Sequence, residues 1–227
     1  TNFITKENIN SILEESHFKK KVGLLSIDID GNDYWVWKEI NDFDPSIVVI
    51  EYNARFGKEK TYVVPYKKNF ERRKIHYSGI YYGASIQALI KLGKEKGYAF
   101  VCCNTGGNNA FFVKKDLLNN KVKELNVEDG FVINKFRESR DENGKLMYLS
   151  KKEEEEIIFS LPLTEVWLKI LITGVFGFIG QNLYQNLKHK YDVKGIGRNK
   201  KISKIKKNNN LLDNNITNQN LIKLNFQ

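Results

Sequence analysis

The chain has 227 residues, 41% of them hydrophobic, enough for one large domain or two small ones. It contains no run of about 18 apolar residues, which excludes a membrane-spanning helix, and its first residues, Thr-Asn-Phe-Ile-Thr-Lys, lack the apolar segment of a secretory signal. The net charge of +10 is unevenly held: residues 168–227 carry eleven Lys/Arg against two Asp/Glu (+9), leaving 26 against 25 (+1) in residues 1–167.

Residues Asn8 to Ser16 read as a short helix, with Ile9, Ile12 and Leu13 on one face. Leu24 to Ile29 reads as a strand that is apolar on nearly every residue, as when both faces of a sheet are covered. A helix follows, with Asn32 or Asp33 as its cap, and Pro45 precedes a second buried strand, Ile47 to Tyr52. Residues 54–82 read as an irregular insert, rich in basic and aromatic side chains. Of these, Arg72, Arg73, His76, Tyr81 and Tyr82 are candidates for lining a pocket, although a basic surface loop is the simpler reading.

Gly83 to Lys96 has helical spacing, and Gly97 stands where a helix ends. A hairpin follows, Tyr98 to Cys103 and Ala110 to Val113 around Thr105-Gly106-Gly107-Asn108. Cys102 and Cys103 match no metal motif and read as two small residues of a buried strand, their reduced thiols suiting a cytoplasmic location. The acids Glu153 to Glu156 suit the positive end of a helix.

From Leu168 the pattern changes to a strand (Lys169 to Ile172), a glycine loop (Thr173 to Gly180), a helix (Gln181 to Lys190) and a strand (Val193 to Gly197). The Lys/Asn-rich stretch Lys200 to Asn210 has no interleaved aromatics, so it reads as a solvated loop rather than a nucleic-acid surface.

Two places carry chemistry. In the first, Asp28, Asp30 and Asp33 cluster at the end of a strand, with Asn32 between them. Strand alternation puts Asp28 and Asp30 on one side, where two carboxylates can hold a hard cation or divide acid and base roles. Asn32 would support them, and Glu51 and Asn53, at the end of the next strand, can converge on the same crevice. In the second, Thr-Gly-x-x-Gly-x-x-Gly lies between a strand and a helix, the context a dinucleotide fingerprint needs. Gly174 allows the tight turn, Gly177 the approach of a pyrophosphate, and Gly180 close packing of helix on strand.

Leu-Leu-Ser-Ile-Asp-Ile-Asp-Gly-Asn-Asp-Tyr, followed by Pro-Ser-Ile-Val-Val-Ile-Glu-Tyr-Asn, resembles the FkbM-type methyltransferases, with Asp30 where that family usually has Glu. The resemblance implies the C-terminal half of a class I methyltransferase over residues 1–118 with a tail or linker over 119–167. It implies S-adenosylmethionine as cofactor, with its glycine loop upstream of Thr1, and a sugar or related metabolite as acceptor.

Lys-Ile-Leu-Ile-Thr-Gly-Val-Phe-Gly-Phe-Ile-Gly resembles the start of the extended short-chain dehydrogenase/reductases, the sugar-nucleotide epimerases and dehydratases. It implies an NAD(P)-binding segment over 168–227, with Gly174, Gly177, Phe178, Ile179 and Gly180 at the cofactor. Arg198, where many members carry an acid, leans toward NADP. That family's catalytic Tyr-x-x-x-Lys is expected downstream of Gln227.

The expectation is therefore an α/β chain: a partial Rossmann-like methyltransferase sheet closed by an antiparallel hairpin, then a partial Rossmann β-α-β unit. Asp28, Asp30, Asn32 and Glu51 are its candidate catalytic residues, and Asp28 and Asp30 its candidate metal ligands. Such a chain joins the end of one polysaccharide-synthesis protein to the start of another, and is incomplete at both ends and inactive as it stands. An Asp-x-Asp glycosyltransferase is the alternative for the first part.

Overall fold

The structure, a computed structural model, describes residues 3–18, 20–166, 169–188 and 191–197. It forms two compact units, Thr1–Val166 and Trp167–Gln227. Unit 1 runs α1 (Ile9–Glu15), β1 (Leu24–Ile27), α2 (Asp33–Glu39), β2 (Ile47–Glu51), β3 (Tyr62–Val63), α3 (Arg72–Ile75), α4 (Ile86–Glu95), β4 (Tyr98–Cys103), β5 (Asn109–Lys114), α5 (Val127–Gly130), β6 (Ser139–Arg140), β7 (Leu146–Met147), α6 (Lys151–Ser160) and β8 (Thr164–Glu165). Unit 2 runs β9 (Lys169–Thr173), α7 (Phe178–Leu187) and β10 (Asp192–Ile196).

Unit 1 is built on a mixed sheet of order β1-β2-β5-β4. The first pair is parallel, Leu24 opposite Ile47 and Ile27 opposite Ile50, and β5 runs antiparallel to both its neighbours. A parallel pair needs a crossover, and α2 supplies it. Val48, Ile50, Ala110 and Phe112 are fully buried in the middle of this sheet. Trp37 of α2 packs on Phe112 and Tyr98, ring centroids 5.0 and 6.0 Å apart. Helix α4 covers the same cluster. Ser85 caps it by accepting the Ala88 N–H, and Gly97, at φ +84°, ends it in the left-handed conformation that a side chain resists.

Three expectations need correction. The first strand ends at Ile27, not Ile29, and Leu24 is 55% exposed, because β1 is an edge strand and not a strand covered on both faces. The insert is not irregular: β3 pairs antiparallel with β8, a hundred residues downstream, and α3 lies between. Residues 119–166 fold back onto unit 1. There Ser150 and Glu153 close a capping box at the start of α6, and Ile158 is fully buried with Phe56, Ile80 and Tyr82 in a second apolar cluster.

The two cysteines also differ from expectation. A register shift between Phe100 and Cys102 bulges β4, leaving Cys102 exposed and Cys103 buried. Burial pushes the Cys103 thiol up to about 11. A disulfide reagent at about pH 8 should therefore titrate one thiol in the folded chain and two in urea, with Cys102→Ser removing the native-state reaction. Two equally reactive native thiols would contradict this placement.

Unit 2 is a β-α-β unit whose strands β9 and β10 pair in parallel, Ile170 opposite Val193 and Ile172 opposite Gly195. Ile172, Val175, Tyr184 and Val193 form its core. Helix α7 starts at Phe178, three residues before the expected Gln181. Arg198 and Lys200 to Asn210 lie outside the described residues. Among the described residues, no helix is long and apolar enough to cross a membrane.

Candidate functional site

The carboxyl ends of β1 and β2 lie side by side, so the turn after β1 and the last residue of β2 share one crevice. The backbone after Ile27 leaves the extended conformation, and Asp30 sits at φ +57°. Strand alternation therefore stops before it reaches Asp30. Its side chain pairs with Arg72, 3.4 Å away, and is not in the group of three carboxylates that converge at Asp28. Asp33, the first residue of α2, is. Carboxylate oxygens of Asp28, Asp33 and Glu51 all lie within 4.8 Å of one another. The sequence places Asp33 in the acidic cluster but offers Asp30, not Asp33, as the partner of Asp28, because the placement of Asp33 depends on the turn.

That turn is held by Asp33 itself. Its two carboxylate oxygens accept the Ile29 and Gly31 backbone N–H groups at 3.0 and 2.9 Å. Gly31 is required here: a Cβ would lie 2.1 Å from the buried Phe70 ring. Asn32 stands at the cap position of α2 but makes no capping bond; its amide donates to the Lys67 carbonyl at 2.9 Å. Its Oδ1 is buried without a hydrogen-bond partner. Asn53 does not reach the crevice either; its side-chain hydrogen bonds all go to nearby backbone.

Glu51 is 7% exposed, and its Oε2 has no hydrogen-bond partner. Burial, with Asp33 and Asp28 adding repulsion, pushes its carboxyl up to about 8. Burial raises Asp33 to about 6, against the pull of the two N–H donors, and also raises Asp28, with Asp30 adding to it. The opposing charge is Arg72, whose guanidinium lies 3.6 Å from the Tyr82 ring centre and donates to the Gly79 carbonyl.

Of these groups Asp30, Glu51, Arg72 and Tyr82 line a cleft of about 730 Å³ in unit 1, with Ile29 and Arg140 among its other walls. Of the candidates in the insert, Arg72, Arg73 and Tyr82 line it, while His76 and Tyr81 do not. His76 instead pairs with Ser78, and the Tyr81 hydroxyl donates to the Pro162 carbonyl. Arg140, which sequence reasoning missed, comes from β6, a two-residue strand with no local signal. The cleft's volume falls in the range of small-molecule sites, about 300–1,000 Å³.

In unit 2 the glycine loop has the geometry its spacing predicts. Gly174 sits at φ +69°, and a Cβ on Gly180 would lie 2.3 Å from the Gly174 carbonyl oxygen, so helix and loop touch only because Gly180 has no side chain. A Cβ on Gly177 would meet that oxygen at 3.3 Å, a tight contact. Gly177 caps α7, whose first N–H groups have no carbonyl of their own helix to bond. Phe178 and Ile179, at 85% and 72% exposure, begin the helix there.

Comparison with known proteins places this segment. Residues 170–227 match the NAD dependent epimerase/dehydratase family. The match covers the β-α-β unit and stops short of unit 1, for which the FkbM-type resemblance finds no such counterpart. No curated protein and no solved structure matches the chain.

Proposed function

We propose that unit 2 is the nucleotide-binding opening of a sugar-nucleotide epimerase or dehydratase and binds NAD(P). The observation that supports this is the Gly180 contact, which, with the family match, favours reading the loop as a dinucleotide cradle over a plain strand-to-helix turn. The pyrophosphate would sit at the start of α7, over Gly177 and the N–H groups of Phe178 and Ile179. Bound there, a nicotinamide nucleotide supplies hydride transfer. Arg198, placed by sequence just after β10, is suited to pair with a 2′-phosphate, which favours NADP.

The test is NADPH binding to the full chain, followed by fluorescence. Gly177→Leu should abolish binding, and its circular dichroism spectrum, compared with that of the unaltered chain, separates loss of the site from loss of the fold, since its Cβ would meet the Gly174 carbonyl oxygen at 3.3 Å. Binding that survives the substitution would reject the assignment.

A second reading concerns unit 1, which we infer to be the acceptor-side half of a methyltransferase-like domain acting on a sugar or similar polar metabolite. It is supported by a parallel pair closed by an antiparallel hairpin, with acids at the exits of the parallel strands. The implied cofactor, S-adenosylmethionine, does not fit the described residues. The turn after β1 has one glycine, Gly31, and Phe70 already fills the space over it. The reading is therefore confined to the acceptor cleft, with Asp28 and Glu51 facing acceptor hydroxyls and Arg72 and Tyr82 walling them. The Asp-x-Asp glycosyltransferase alternative has less support, since the carboxylates that converge with Asp28 are Asp33 and Glu51, while Asp30 pairs with Arg72.

A further inference from the structure

We propose that Asp28, Asp33 and Glu51 form a binding site for one hard divalent cation, of Ca²⁺ or Mn²⁺ size, at the floor of the unit 1 crevice. The proposal adds a ligand to the acceptor-cleft reading and rests on it only for what the ion faces. The three carboxylate oxygens lie within 4.8 Å of one another. A point between three such atoms is at most about 2.8 Å from each, so shifts of a few tenths of an ångström give the 2.3–2.6 Å of Ca²⁺ coordination, whereas the 2.0–2.1 Å of Mg²⁺ needs more. An all-oxygen carboxylate set selects hard ions over Zn²⁺ or Cu²⁺.

Convergence of acids is not sufficient on its own. The independent sign is that Glu51 Oε2 is buried without any hydrogen-bond partner, in a side chain 7% exposed and directed at the other two carboxylates. A buried, unpartnered carboxylate oxygen costs several kcal/mol unless something completes it. The neighbouring cation cannot readily do so: Arg72 is held by Asp30, the Gly79 carbonyl and the Tyr82 ring. Asp33 has each oxygen bonded to one backbone N–H, which fixes the carboxylate and leaves each oxygen a lone pair. Glu51 also lines the cleft, so an ion here keeps coordination positions open toward it.

The experiment is Mn²⁺ binding to the full chain after treatment with a chelator, read by electron paramagnetic resonance, with Ca²⁺ as competitor. We expect one ion per chain, displaced by Ca²⁺, and at least tenfold weaker binding in Glu51→Gln and in Asp28→Asn. The Asp28 variant guards against a folding defect, because Asp28 is exposed. Asp42→Asn, at an exposed ion pair with Lys20 outside the crevice, should bind Mn²⁺ as the unaltered chain does. No bound Mn²⁺ at millimolar concentration, unchanged binding in Asp28→Asn, or loss on Asp42→Asn would each overturn the site. Acceptor binding is a separate measurement: sugar titrations that fail while Mn²⁺ still binds would remove the acceptor reading and leave the cation site standing.

Discussion

Glu51→Gln should make the protein more stable at alkaline pH and leave it nearly unchanged near pH 5. With the folded-state value at about 8 against an ordinary 4.5, folded Glu51 holds a proton that the unfolded chain has released. The native state thus binds more protons between those values, so stability falls as pH rises through that window and is lowest above pH 8. A shift of this size corresponds to about 3–5 kcal/mol at 1.36 kcal/mol per unit. That is a large share of the ~5–15 kcal/mol that holds a typical domain. Asp33 adds a smaller fall of the same sign between 3.8 and about 6.

Glutamine has the shape of the protonated acid and does not ionise, so Glu51→Gln removes the larger fall. The groups facing Glu51 are Asp33 at the start of α2, Asp28 and Asp30 on the turn after β1, Arg72 from α3, and the Tyr82 phenol, itself pushed up to about 12 chiefly by burial. None is altered by the substitution. Urea unfolding at pH 5 and pH 9, in the presence of a chelator and read from the fluorescence of Trp35 and Trp37, measures the difference. Parallel pH curves for the two proteins would mean that Glu51 is not buried as an acid.

How much of this was legible in the sequence follows from the range of the interactions involved. The parallel pair, helix α4 and the hairpin are written in local apolar runs, a capping serine and glycines at chain reversals, and all stand within a few residues of where those signals put them. The glycine loop was equally legible, because a helix packed on a strand at Gly180 needs a missing side chain at that spacing. The acidic site was legible only as a neighbourhood. Period-two alternation selected Asp30, but it applies only while the chain is extended, and the positive φ at Asp30 ends it. The partner of Asp28 is then chosen by hydrogen bonds from Ile29 and Gly31 to Asp33, which no side-chain pattern encodes. The pairing of β3 with β8, and the contribution of β6 to the cleft, rest on two-residue strands brought together over long separations. Such strands carry no periodicity to read.

The second large effect is expected at Asn53, which the sequence offered as a companion of Glu51 and which the fold uses otherwise. Its side chain is fully buried. The amide donates to the carbonyls of Ile80 and Tyr82 at 2.8 and 3.1 Å, and the oxygen accepts the Arg55 N–H at 3.2 Å. One amide thus fixes the end of β2 to the strand-like segment that carries Tyr82, the ring on which Arg72 lies. Asn53→Asp keeps the shape but removes both donors and leaves two buried carbonyls facing a carboxyl group. The expected cost is about 3 kcal/mol or more, since unsatisfied buried groups cost 1–3 kcal/mol each and charge adds to that. Asn53→Ala should cost somewhat less, because it leaves the same carbonyls unpaired but adds no charge. Both are read as a lowered urea midpoint of the full chain. A group that contacted ligand and held no structure would behave in the opposite way: Asn53→Asp would weaken ligand binding in the cleft and leave the midpoint where it was.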